Sequence, residues 1–194
     1  QNGIGNVQIL SPQRKKGTVC ANRLNSEIRD LVNPPRAGRA EIKCGGMTYR
    51  VGDRVIQTRN QEEVANGEVG VITAIAGDGT NDPVIEITLL DGRVLNYSAD
   101  MLEDVDLSYC ISIHKSQGAE FPVVLIPILK EHYIMLRRNL LYTAISRAKS
   151  KVILIGQRQA IYMAIHKHDV DKRNTALADR ITVYYDREQQ RPAS

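Results

Sequence analysis

The sequence contains no tryptophan and one phenylalanine, against eight tyrosines. Any platform for stacking nucleobases must therefore be small. Cysteine is scarce too. Cys20, Cys44 and Cys110 are odd in number and widely spaced, and no CxxC occurs. That argues against a disulfide framework or a zinc site, and makes a reducing cytoplasm the expected location. No apolar run approaches the roughly 18–20 residues that cross a bilayer, and no signal peptide is visible, so no membrane partner is expected. A phosphate-cradling GxxxxGK[ST] loop is missing. So is an acidic pair following an apolar strand, which could hold magnesium. The chain opens on Gln1 and not on Met, which leads to the expectation that it is cut from a longer one.

What is present is the composition of an ordinary folded domain. The 194 residues are 42% hydrophobic and 25% charged, enough for one core with room for a small second unit. The net charge of +4 fits a polyanionic partner without requiring one. Its clustering is more pointed: Arg14, Lys15 and Lys16 are adjacent, as are Arg137 and Arg138.

Two structural grammars alternate along the chain. Val7 to Leu10 is a short apolar strand that Ser11-Pro12 ends. Ala21 to Val32 has helical spacing at Leu24, Ile28, Leu31 and Val32, and Asn33-Pro34-Pro35 stops it. The Gly-rich, charged stretch from Arg36 to Gly46 has the character of a loop, and Arg54 to Thr58 that of a strand. From Gly67 to Asp104 the pattern changes to short β-rich pieces separated by Gly77-Asp78-Gly79, Asn81-Asp82-Pro83 and Asp91-Gly92, a succession of hairpins. The α/β grammar then returns. Strands are expected at Tyr109 to Ile113, Val123 to Leu129 and Val152 to Ile155. Helices are expected over Arg137 to Lys149, Arg158 to His168 and Thr175 to Ile181. The resulting fold class is α/β: a parallel sheet with helices on both faces, interrupted by a small antiparallel barrel.

Two strings carry chemistry. Ser112-Ile113-His114-Lys115-Ser116-Gln117-Gly118-Ala119-Glu120-Phe121 follows a strand, where open α/β sheets place ligand groups. Lys115 and Ser116 suit a backbone phosphate. Gly118 permits close approach of the main chain. Glu120 can accept from a ribose hydroxyl or orient a basic partner. The bland alternative for each residue alone is a polar turn. The second string is Asn139-Leu140-Leu141-Tyr142-Thr143-Ala144-Ile145-Ser146-Arg147-Ala148-Lys149. On a helix Thr143 and Arg147 share a face. A guanidinium mounted rigidly there can stabilise charge developing on a γ-phosphate. The bland alternative is an exposed arginine favoured by the helix dipole. His166, His168 and Asp169 could bind a metal, and Tyr184 and Tyr185 could stack on a base, but a solvated helix end and a closed hydrophobic edge are the commoner explanations.

Together HKSQGAEF and LLYTAISRAK resemble motifs V and VI of superfamily 1 DNA helicases, in the form found in RecD-like enzymes and the exodeoxyribonuclease V α subunit. Gln8 to Gly17 with Arg23-Leu24-Asn25 is similar to motif IV. Gly52 to Asn60 with Asn66-Gly67-Glu68 is similar to the segment leading into that family's SH3-like barrel. The likeness covers most of residues 5 to 157.

The resemblance implies an ATP-driven translocase on single-stranded DNA, moving 5′ to 3′. It implies a RecA-like domain in two segments, 1–66 and 106–194, with an inserted SH3-like barrel at 67–105 implicated in strand separation. It implies that Arg147 is the arginine finger. Arg14, or Lys15 with a one-residue shift in register, reaches the nucleotide phosphates. Gly118 and Glu120 lie near the ribose and γ-phosphate. His114, Lys115 and Ser116, with Thr58, Arg59 and Asn60, touch the strand. ATP and Mg2+ are the implied ligands, the metal held by a preceding RecA-like domain that is also the main partner, alongside nuclease or repair subunits. Without that domain the chain is expected to be inactive. Two other readings compete: a nucleic-acid or protein binding module, and the helicase part of a conjugative relaxase.

Overall fold

The computed structural model describes residues 7–77 and 83–167. The expected helix at 175–181, the tyrosine pair 184–185, His168 with Asp169, and most of the turn between Gly77 and Pro83 lie outside the described residues.

Among the described residues the α/β part is a four-stranded sheet in the order β11-β10-β1-β9, formed by β1 (Val7–Ser11), β9 (Cys110–Ser112), β10 (Phe121–Ile128) and β11 (Ala148–Gly156). Every pairing in it is parallel. The apolar run expected as a strand at Val123 to Leu129 is central β10, whose Val124, Ile126 and Ile128 are buried. Among the described residues the strand expected at Val152 to Ile155 is longer than that and lies at the sheet edge, with Ile155 53% exposed although the segment is apolar.

Helix α1 (Ala21–Val32) has the bounds its spacing predicts, and Leu24 and Ile28 are partly buried as that spacing implies, but Leu31 and Val32 are not. Leu31 is 81% exposed, while Ala21 and Asn25 are buried. Asn25 sets the rotation of the helix. Its Nδ2 donates to the carbonyls of Leu107 and Cys110, each at 2.9 Å, and its Oδ1 accepts from Cys110 N–H at 2.7 Å. Helix α2 (Arg138–Ile145) is shorter than the expected Arg137 to Lys149, because the sheet captures the chain beyond it. Phe121 N–H donates to the Arg147 carbonyl at 2.8 Å, and Ala148 opposite Phe121 starts β11. Helix α3 (Arg158–His166) packs against α2.

The stretch expected as a loop from Arg36 to Gly46 contains a strand. Hairpin β2 (Glu41–Cys44) and β3 (Met47–Arg50) turns on Gly45 and Gly46, whose φ values of 57° and 79° suit a tight two-residue turn. The remaining strands are β4 (Arg54–Gln57), β5 (Val69–Ala76), β6 (Val84–Leu89), β7 (Val94–Tyr97) and β8 (Val105–Leu107). They form an antiparallel sheet in the order β7-β6-β5-β4-β8. This sheet therefore starts before the boundary expected at residue 67 and runs past 105. End strands β7 and β8 do not pair with each other among the described residues; a 3-10 turn, Asp100–Asp104, packs on both. The expected small barrel is, in the strand pairing of the described residues, an open five-stranded sheet.

Two apolar clusters form, one mainly on each sheet, with Ile56 and Val69 of the antiparallel sheet packed into the cluster of the parallel one. Buried polar side chains weld the seam between them. Gln8 Nε2 donates to the Ser108 carbonyl at 3.1 Å, and Arg54 Nη1 to the Val7 carbonyl at 3.1 Å. Asp53, fully buried, accepts from Asn33 Nδ2 at 2.7 Å, Tyr109 Oη at 3.1 Å and Arg50 N–H at 2.9 Å. Burial, and then the neighbouring Asp53, push the Tyr109 phenol up to about 12, which keeps it a donor.

Candidate functional site

Arg147 sits in the two-residue turn between α2 and β11, just beyond the helix on which the sequence placed it. Its side chain is fixed at three points. Nε donates to the Thr143 carbonyl at 3.3 Å, Nη1 to the Ala119 carbonyl at 3.2 Å and Nη2 to Ser146 Oγ at 3.2 Å. The i to i+4 relation to Thr143 is thus realised through that residue's backbone. The bond to Ala119 joins the second chemical string to the first. A guanidinium has five N–H donors, so these three bonds leave two that can meet an oxyanion.

Beside it, Gly118 has φ +85°, a conformation that disfavours a side chain, and open space surrounds its Cα. The exposed backbone is therefore approachable. Glu120 pairs with Lys149 at 3.4 Å, and both side chains are 61% exposed. Ser116 is a correction. It is fully buried and donates through Oγ to the Ile113 carbonyl at 2.7 Å, so it shapes the turn and offers no hydroxyl to a strand.

A second group assembles along β8. Asp106 lies on β8 between buried Val105 and Leu107, and Asp104 ends the 3-10 turn that leads into that strand. Asp106 Oδ2 accepts from Arg14 Nη2 at 2.8 Å and lies 3.6 Å from Lys115 Nζ. Asp104 pairs with Arg59 at 3.2 Å, and its carbonyl accepts from Thr58 Oγ1 at 2.9 Å. Asn60 Oδ1 accepts from Asn66 N–H at 2.8 Å and holds the adjoining loop. Three distant segments, around Arg14, Arg59 and Lys115, thereby form one cationic row. Burial holds the Lys115 ammonium below the ordinary lysine pKa, with Asp106 pulling it back up and Arg14 lowering it further.

The residues expected at the nucleotide are consequently divided. Arg147, Gly118 and Glu120 cluster near the start of β10, whereas Arg14 joins Lys115 at the ends of β1 and β9. Two adjoining cavities of about 440 and 450 Å³ lie between these groups and share His114, Ile134 and Met135. One reaches Arg14, Lys15 and Lys16; the other reaches Gln117, Arg137 and Thr143. The loop bearing Arg14 is braced from behind by Glu131, which accepts from Thr18 N–H and Val19 N–H at 3.1 Å each and from Thr18 Oγ1 at 2.9 Å. Among the described residues no group of three His, Cys, Asp or Glu could hold a metal ion. Sequence reasoning missed Asp104, Asp106 and Glu131. The alternation Asp104-Val105-Asp106-Leu107 was the available signal for the first two.

Comparison with known proteins adds independent findings. A family model described as the UvrD-like helicase C-terminal domain matches residues 107–155. A second, the ATP-dependent RecD-like DNA helicase SH3 domain, matches residues 24–87. The chain is 33% identical over 185 residues to the ATP-dependent RecD2 DNA helicase of Deinococcus radiodurans, covering 94% of this chain and 24% of that protein. It is 35% identical over 107 residues to the RecBCD enzyme subunit RecD of Mycobacterium tuberculosis, covering 55% of this chain and 18% of the relative. It thus spans about a quarter or less of these relatives. In fold it is similar to a Bacteroides Pif1 bound to single-stranded DNA, with a TM-score of 0.55 at 16% identity over 94% of this chain and 46% of that one. Pif1 helicase from Candida albicans gives 0.56 at 14% identity over 96% and 50%.

Proposed function

This chain belongs to the RecD-like superfamily 1 DNA helicases and carries their C-terminal helicase region, and from that premise we propose that it is one half of an ATP-driven motor that moves 5′ to 3′ on single-stranded DNA. The other half is a preceding RecA-like domain that brings the phosphate loop and the carboxylates for Mg2+. Binding of ATP between the halves closes the cleft and hydrolysis reopens it. A strand gripped alternately by the two halves then advances. The proposed division keeps the parallel sheet as the motor domain and the antiparallel sheet as the SH3-like insert. Its boundaries move from 67 and 105 to the limits of that sheet at Arg54 and Leu107, with the β2–β3 hairpin attached.

The observation that carries this reading is the mount of Arg147. A side chain tied to three acceptors cannot relax into water, and its two remaining donors are held ready. Such a group stabilises a phosphoryl transition state without reorganising when charge develops. Gly118 and Glu120 border the ribose and γ-phosphate in this scheme. His114, Lys115 and Arg59 supply contacts to the strand, Thr58 and Asn60 hold the loop that presents Arg59, and Arg14, or Lys15 beside it, meets phosphate. Lysine cannot replace Arg147 fully, because a point charge lacks the planar fork of donors. The cytoplasm is the proposed location. Nuclease subunits are proposed partners by analogy with the naming of the RecBCD relative.

The test is steady-state ATP turnover by the full-length protein with saturating single-stranded DNA. Arg147→Ala is expected to lower kcat by roughly 10³ or more, with Arg147→Lys intermediate. Turnover within about threefold of the parent corresponds to under ~1 kcal/mol of transition-state stabilisation and would falsify the finger assignment.

A further inference from the structure

Asp106 shares one carboxylate oxygen between two cations, Arg14 at 2.8 Å and Lys115 at 3.6 Å. The three come from β8, from the loop after β1 and from the turn after β9. Their meeting is a product of the fold and not of chain proximity. Asp106 is set rigidly. Its neighbours Val105 and Leu107 are buried, its strand pairs with β4 in the register Ile56 to Asp106, and the chain beyond it is clamped by Asn25. The cations differ in freedom: the Arg14 side chain is 55% exposed and Lys115 is 22% exposed. Lys115 is thus a half-buried ammonium that needs a counter-charge in place at all times, and Asp106 is the nearest one.

We infer that Asp106 is the internal counter-anion of this cationic row. It holds Arg14 and Lys115 in place when no phosphate is bound and releases them when one arrives. The inference rests on the reading that Arg14 and Lys115 face phosphate. The chemistry shared by the two candidate sources, strand backbone and nucleotide, is a phosphate oxyanion. An incoming phosphate must outcompete a fixed carboxylate, so Asp106 lowers anion affinity while keeping the cations extended and charged. Its place at the junction of insert and motor sheet also means that a shift of β8 would change how firmly the row is occupied.

The experiment uses the full-length protein and the isosteric Asp106→Asn variant, with Asp106→Ser as a second variant should the first not fold. A fluorescent polythymidine oligonucleotide reports strand affinity at low salt, and KM for ATP reports the nucleotide. Exposed ion pairs set the scale, so Asp106→Asn is expected to tighten oligonucleotide binding about two- to fivefold. The gain should fade as salt screens it. A fall in the KM for ATP with unchanged oligonucleotide affinity would support the same role with the nucleotide as the phosphate source. No gain in either measurement, or a loss, overturns the inference and leaves Asp106 a structural strut. A gain that persists when Arg14 and Lys115 are both Ala overturns it as well, since the effect would not pass through them. The single variants Arg14→Ala and Lys115→Ala separate the two levels. If neither weakens either ligand, the underlying reading fails and takes the inference with it. If they weaken binding but Asp106→Asn gives no gain, only the inference fails.

Discussion

The parallel and antiparallel sheets solve opposite problems. The antiparallel sheet wraps a core of its own. Its strands alternate, its cluster of Tyr49, Ile72, Ile85, Ile87, Tyr97 and Leu107 is nearly water-free, and the hydroxyls of Tyr49 and Tyr97 find partners at Val105 and Gln57. The parallel sheet is left more open. Among the described residues β11 lies at the edge and is largely exposed, and cationic side chains gather where the loops of this sheet end. Parallel strands need long crossovers, and these deliver loops from separate parts of the chain to common edges. Antiparallel hairpins return at once and deliver mostly their own turns. Stability is therefore expected to concentrate in the antiparallel unit and its seam, and chemistry at the loops of the parallel one.

The largest effect that sharpens this contrast is at Asp53. Asp53→Ala strands three buried donors at the seam and should cost on the order of 3 kcal/mol in urea unfolding, whereas Arg147→Ala should cost under about 1 kcal/mol. Equal losses from the two variants would erase the distinction. A smaller effect separates two glycines with positive φ and open surroundings, Gly118 and Gly92. Either changed to Ala should cost about 1–2 kcal/mol of backbone strain, but only Gly118→Ala should also slow ATP turnover. Matching turnover losses would show that Gly118 has no special place at the site. The smallest is a pH effect at His132, behind the Arg14 loop. Burial lowers its pKa from 6.5, only partly offset by Glu131, and its Nδ1 accepts from Leu129 N–H at 3.3 Å, so the folded state favours the neutral ring. The unfolded chain then binds the extra proton more readily, and stability should fall as pH drops below about 6.5. Thermal melts of the parent and His132→Phe between pH 5 and 8 check this; an equal pH slope in both would reject it.

Much of this molecule was legible before any coordinates. Helix α1 kept its predicted bounds because Asn33-Pro34-Pro35 cannot continue a helix, and the Asp91-Gly92 hairpin formed because that pair fits a tight turn. The strings around Lys115 and Arg147 were visible as chemistry. The β2–β3 hairpin was not, since its short strands lie between glycines and charges and gain their order from packing on the second cluster. The rotation of α1 was hidden too. Apolar spacing nominated Leu31, whereas three hydrogen bonds to Asn25, a polar residue, decided which side faces inward.

Local patterns thus determined which segments are helix or strand, where the turns fall and which residue types are available for phosphate chemistry, because those depend on neighbours in the chain. Only the tertiary structure decided that Arg14, Arg59 and Lys115 stand in one row on the carboxylates of β8, that Arg147 is anchored to Ala119, and that Ser116 is turned inward. Those outcomes depend on strand order and register between segments as many as a hundred residues apart, where no short-range preference acts.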